Sequence, residues 1–248
     1  MPKEVTKLPL GGPKDKPPHL PPPPPGKINP LVMNRPNPGG VPYGQLIKSF
    51  EDPGMVALTF DDGPFKYTNR LLDTLKNSGS IRGTFFVNGK NTGDLNGQGM
   101  MDVPKRMMAE GHQISSHTSR KWLNSRTPSM ELLARSQPTC APPNFDCNGK
   151  CMKLMGKMGY HVVGENLDTH DWKNMTNMQA SKDIVGKAVD GADSKKNNFI
   201  ALAQDIHEAT VDQSAKHMLD KFKAKGYDSS SNHTAVTVGE CLGDAPEN

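Results

Sequence analysis

Several special classes are excluded by what this sequence has little of. Only four of its 248 residues are cysteine and 6% are aromatic. Four cysteines (Cys140, Cys147, Cys151 and Cys241) in a chain of this length do not make a disulfide scaffold. They allow three pairings among which sequence cannot choose, and CxxC spacing is absent, since Cys147 and Cys151 stand as CxxxC. Long hydrophobic runs are missing too. The longest, Met55–Phe60 and Phe199–Ala203, fall far short of the roughly 18 residues that a membrane span needs. No charge of one sign dominates. Lys plus Arg is 30 against 26 Asp plus Glu, and the first 52 residues, with seven basic and four acidic side chains, supply most of the net +4. The body carries no basic stripe, so nucleic acid is not an expected partner. The start, Met1 to Leu10, has no apolar h-region, so no signal peptide is expected in the given sequence. Two sequons, Asn174-Met-Thr and Asn232-His-Thr, hint weakly at secretion.

Proline is what the chain has in excess. There are 22, and 14 of them fall in the first 42 residues. Successive prolines lock φ, remove donors and favour polyproline II, so residues 1–40 read as a disordered, proline-rich flexible leader. Residues 41–248 are left as a single domain, large enough to bury one core. A monomer is expected.

Beyond the leader, short apolar runs alternate with helical patterns. Strands are expected at Met55–Phe60, Gly83–Asn88, Gln113–Ser116, Tyr160–Gly164, Phe199–Ala203 and Ala235–Val238. Helices are expected at Thr68–Asn77, Pro104–Glu110, Cys151–Met158, Asp183–Val189 and Ser214–Lys225, three of them ending in Gly79, Gly159 and Gly226. That order argues for a parallel α/β architecture, barrel or open sheet, with ligand chemistry at the C-terminal ends of the strands.

Two of those ends carry chemistry. The first strand runs into Thr59-Phe60-Asp61-Asp62-Gly63-Pro64. Gly-Pro after two acids is an ordinary turn signal. Adjacent carboxylates at the end of a buried strand are less ordinary, because neighbouring side chains diverge and each acid can take a separate role, one as metal ligand and one as base. The third strand ends in Ser115-Ser116-His117-Thr118, and His117 with Asp62 makes a candidate carboxylate–imidazole metal pair. His112, at the other end of that strand, reads as structural.

Val56-Ala-Leu-Thr-Phe-Asp-Asp-Gly-Pro64 resembles the first motif of the polysaccharide deacetylases with a NodB-homology domain. Gly111-His-Gln-Ile-Ser-Ser-His-Thr118, Asp168-Thr-His-Asp-Trp172 and Leu202-Ala-Gln-Asp-Ile-His207 are similar to three later motifs. The tail from Val236 is similar to that of fungal chitin deacetylases. The resemblance implies a distorted (β/α) barrel and metal-dependent hydrolysis of N-acetyl groups from chitin-like polymers, outside the cell or in the wall. It makes Asp61 the catalytic base and gives Asp62 and His117 to a divalent metal, zinc or a similar ion. Asn144, Asp171 and Trp172 become substrate-binding positions, with Trp122 a further candidate for the groove wall.

Some positions depart from the family pattern. Lys121 stands where the third metal ligand belongs, Ala141 where an Arg would orient the base and pair with Asp171, and Gln204 where a His would serve as general acid. Lysine is an ammonium without a lone pair, so zinc is expected to bind weakly or not at all. The stretch Ser129–Thr139 is short for the family. Ser49 and Phe50 occupy the place of a cysteine that would pair with Cys241. The alternative reading is therefore a degenerate, catalytically weak or inactive glycan-binding module that keeps its groove.

Overall fold

Residues 56–61, Val-Ala-Leu-Thr-Phe-Asp, are buried at every position, which is what a strand inside a parallel sheet covered on both faces requires. In a computed structural model this segment is β2 (Val56–Asp61), at the centre of the fold. The structure describes residues 35, 37–88, 101–117, 138–143, 147–227 and 235–244. Most of the leader, Lys121, Trp122, Asn144 and nearly all of Ser129–Thr139 lie outside the described residues.

The other strands are β1 (Leu46–Ile47), β3 (Thr84–Val87), β4 (Gln113–Ser116), β5 (Thr139–Cys140), β6 (His161–Val163), β7 (Leu167–Asp168), β8 (Phe199–Gln204) and β9 (Ala235–Val236). They form one curled parallel sheet in the order β1-β6-β5-β4-β3-β2-β8-β7, among the described residues, with β9 against the start of β2. The ladders Asp61↔Phe86 and Asp61↔Gln204 bring the ends of β2, β3 and β8 to one rim. This is the distorted (β/α) barrel expected from the sequence.

Helices wrap the outside: α1 (Thr68–Asn77), α2 (Asp102–Ala109), α3 (Gly149–Lys157), α4 (Met178–Asp190) and α5 (Ala215–Ala224), with the short α6 (Val238–Cys241) near the C-terminus. In α1 the buried positions Thr68, Leu71, Leu72 and Leu75 follow helical spacing; in α5 Ala215, Met218, Leu219 and Phe222 do the same. Asn148 caps α3 by accepting from the Lys150 and Cys151 amides, both at 3.1 Å. α4 begins five residues earlier than its apolar pattern suggested. A π-helical turn, Thr210–Ser214, precedes α5 and carries no sequence signature of its own.

Strand alternation divides the core. Val56, Leu58 and Phe60 join the cluster between sheet and helices, while Ala57 joins a smaller cluster inside the curl with Phe86, Val163 and Ile200. Asp61 shares the parity of Ala57 and so belongs to the inner face. At the strands' N-terminal end His161 lies 3.4 Å from Asp244 and packs tilted against Tyr43, and Gly39 packs so closely on the Leu242 carbonyl that a side chain there would overlap it. Of the open cysteine pairings, Cys147 and Cys151 form a bridge, with Cys140 and Cys241 free.

Candidate active site

The carboxylates of Asp61 and Asp62 and the imidazole of His117 meet at the C-terminal rim. Strand alternation would send the two acids to opposite faces. Instead the chain leaves β2 at Asp61, and Asp62 takes a left-handed φ of 73°, which swings its carboxylate back toward the curl. Asp61 Oδ2 then lies 3.7 Å from His117 Nδ1, and Asp62 Oδ1 lies 3.7 Å from Nε2. The turn is held by Gly63: a Cβ there would overlap both carboxylate oxygens of Asp205, which fills the space beneath it. Asp205 itself accepts from the Thr68 hydroxyl.

His117 has a defined proton. Its Nδ1 is 2.8 Å from the carbonyl oxygen of Ala141, which can only accept, so Nδ1 donates there and Nε2 is the ring nitrogen turned to Asp62. A backbone group at position 141 thus does work that its side chain cannot. Nε2 and the Asp62 carboxylate oxygen stand at a separation close to that of two ligands on one ion with bonds of about 2.0–2.2 Å. The pair fits two corners of a divalent site. Among the described residues no group of three His, Cys, Asp or Glu completes one. The described residues therefore fall short of a full metal set, and Lys121, the third corner by resemblance, lies outside them.

Burial dominates the electrostatics. Asp61 is 3% exposed with Oδ1 unpartnered, and desolvation pushes its carboxyl up to about 7. The positive character of His117 opposes that rise, whereas the charges of Asp62, Asp171 and Glu165 add to it. Asp205 is likewise driven up to about 7 by burial, against the Thr68 hydrogen bond and with help from Asp61 and Asp62.

Asp171, which has no Arg at position 141 to pair with, is fully buried and satisfied by other donors. It accepts from the Gln204 amide at 2.7 Å, the Thr210 hydroxyl at 2.7 Å and the Trp172 amide at 2.9 Å. The Gln204 side-chain amide also lies against it, and only with its NH₂ turned toward the carboxylate does it donate there. Burial raises the Asp171 carboxyl all the same. Trp172, the next residue, is 45% exposed on the rim. His112 is structural as expected, its Nδ1 accepting from the Gly83 amide.

The residues that the sequence reading left without a role are Asp205, Gly63 and Glu165. Asp205 had a signal, an acid directly after a buried strand as at Asp61, whereas nothing in sequence marks Glu165.

The family model described as polysaccharide deacetylase matches residues 48–186. The chain belongs to the polysaccharide deacetylase family. A chitin deacetylase of Colletotrichum lindemuthianum is 40% identical over 226 residues, covering 84% of this chain and 87% of that protein. One from Pestalotiopsis sp is 35% identical over 224 residues, covering 84% and 70%. The solved structure of the Colletotrichum lindemuthianum enzyme superposes with a TM-score of 0.72 at 37% identity, over 84% of this deacetylase-family chain and 96% of that one.

Proposed function

We propose that this chain is a chitin deacetylase-like hydrolase acting on the carbon–nitrogen bond of N-acetylated, chitin-like polysaccharide, with residues 41–248 as the working unit and the cell exterior or wall as its place. The observation that carries the reading is the meeting of Asp61, Asp62 and His117 at the strand ends, with Asp61 buried and its carboxyl near neutrality. A base whose pKa lies near the working pH combines availability with driving force. Asp61 Oδ1, unpartnered and buried, takes the proton from the water that attacks the acetamide carbonyl. Trp172 holds the sugar, and Asp171 fixes the backbone at Gln204 and Trp172. Asp62 and His117 would hold a divalent ion, which when bound would supply polarisation of the acetyl carbonyl, though two ligands hold such an ion weakly. The Cys147–Cys151 bridge supports an oxidising compartment.

The proton for the leaving amine is the weak point. Gln204 ends β8 where the family pattern has a His, and its amide is committed to Asp171. A glutamine cannot give up a proton at neutral pH, so turnover falls by about 10²–10⁴ relative to a site with a general acid. This observation favours a second reading, a glycan-binding module with little or no catalysis. Acetate release from chitin oligomers, with zinc and with chelator, separates the two. Slow release that disappears in Asp61→Asn supports the hydrolase. Oligomer binding with no release in any condition supports the module.

A further inference from the structure

The exposed platform beside the site is not bare. Trp172 presents 45% of its surface, and the ammonium of the next residue, Lys173, sits 4.4 Å from the centre of its ring. That distance is well inside the range of a cation–π contact. His170 also stands near the ring: its imidazole meets Trp172 edge-on at 6.5 Å and lies 3.2 Å from the Asp168 carboxylate. Asp171 is turned inward and satisfied by Gln204, Thr210 and Trp172. Among the described residues no carboxylate pairs with the Lys173 ammonium. The aromatic face therefore carries a positive charge that its immediate surroundings leave uncompensated.

We propose that Lys173 makes the Trp172 platform selective for neutral, N-acetylated sugar units over units bearing a free, protonated amine. The inference rests on the reading of Trp172 as groove wall, and it adds which units that wall accepts. A sugar stacks on an indole through its C–H face, and both an acetylated and a deacetylated unit have that face. They differ in charge. A glucosamine unit places an ammonium on the ring that Lys173 already covers, whereas an N-acetyl unit offers a carbonyl that Lys173 can hydrogen-bond. Two unit charges about 6 Å apart repel by an amount equivalent to roughly threefold in affinity in bulk water, and about tenfold where the groove halves the effective dielectric. Substrate is then held at this position and product is turned away from it.

The test reads Trp172 fluorescence in a Trp122→Phe background, which leaves a single tryptophan. Titration with fully acetylated chitin oligomers and with fully deacetylated ones of the same length, at low salt and in chelator, gives two dissociation constants. The acetylated oligomer should bind at least threefold tighter. Lys173→Gln should bring the two together, and Lys173→Glu should reverse the order. Salt at roughly 1 M, where the screening length is about 3 Å, should narrow the difference in the parent protein. A preference that survives Lys173→Gln unchanged would overturn the role of Lys173 and leave the groove standing. No fluorescence response to either oligomer would remove the platform, and the inference with it. Lys173 is exposed, so its replacement does not disturb the core.

Discussion

Replacing Asp61 by asparagine should change how stability depends on pH, in a direction opposite to that of an ordinary salt-bridged carboxylate. Asp61 is 3% exposed, and its carboxyl moves from 3.8 to about 7 on folding. Between those values the folded chain keeps a proton that the unfolded chain has released. Stability therefore falls as pH rises through this window, by up to about 1.4 kcal/mol per pH unit. The contribution is fully present below the unfolded value and fully lost above the folded one. From about pH 5 to about pH 8 the loss through this one group is roughly 2–3 kcal/mol. For a domain of this size that corresponds to about 4–12 °C in melting temperature. Asp61→Asn does not titrate and should lack this slope. The buried amide adds its own cost, but that cost is the same at every pH, so the difference in slope is the signal. Thermal melts by circular dichroism, in chelator at several pH values across the window, make the measurement. Parallel curves for the two proteins would refute the argument, since they would mean that Asp61 is ionised in the folded state without penalty. Excess zinc should flatten the wild-type curve, because a cation beside the carboxylate favours its charged form.

Gly63→Ala should cost at least about 3 kcal/mol, because the new methyl overlaps the Asp205 carboxylate, and Asp205→Ala in the same chain should recover part of the loss in denaturant unfolding. Thiol titration of the native protein should find no fast-reacting cysteine, since burial pushes the Cys140 thiol up to about 12 and raises Cys241 as well; denaturation without reductant should expose two thiols, and reduction four. Trp172→Ala should weaken chitin-oligomer binding by roughly 1–3 kcal/mol in calorimetry, the scale for losing an aromatic stacking surface, and unchanged affinity would remove the groove reading. Lys121→His with Gln204→His should give zinc-dependent acetate release that Asp61→Asn abolishes; a wild-type rate equal to that of the double variant would mean that neither position limits the reaction.

Much of this architecture was legible before any coordinates, for a physical reason. Strands buried on both faces read as continuous apolar runs, and β2 and β8 fall within a residue of the runs that predicted them. α1 matches its apolar periodicity to the residue. Asp61, Asp62 and His117 were legible because each lies at a strand end, where the fold concentrates chemistry. What joins them was not. The return of the Asp62 carboxylate depends on a left-handed turn over Asp205, a contact spanning more than 140 positions that no local pattern encodes. The partners of Asp171 were hidden in the same way, because Thr210 reaches it from a π-helical turn and the Gln204 amide from the backbone of β8. Sequence recorded the missing Arg at position 141 and could not record that other donors had taken over. The Cys147–Cys151 bridge was one of several pairings that spacing left open.

The packing of Gly39 on Leu242, with His161 against Asp244 close by, sets a handle on the molecule. Both chain segments pass the N-terminal ends of the strands, while Asp61, His117 and Trp172 occupy the C-terminal rim. The described chain thus begins and ends its run on the face behind the groove. Immobilisation through a cysteine placed on that face, beside Gly39 or Asp244, should leave the rim facing outward, free to meet a surface too large to diffuse.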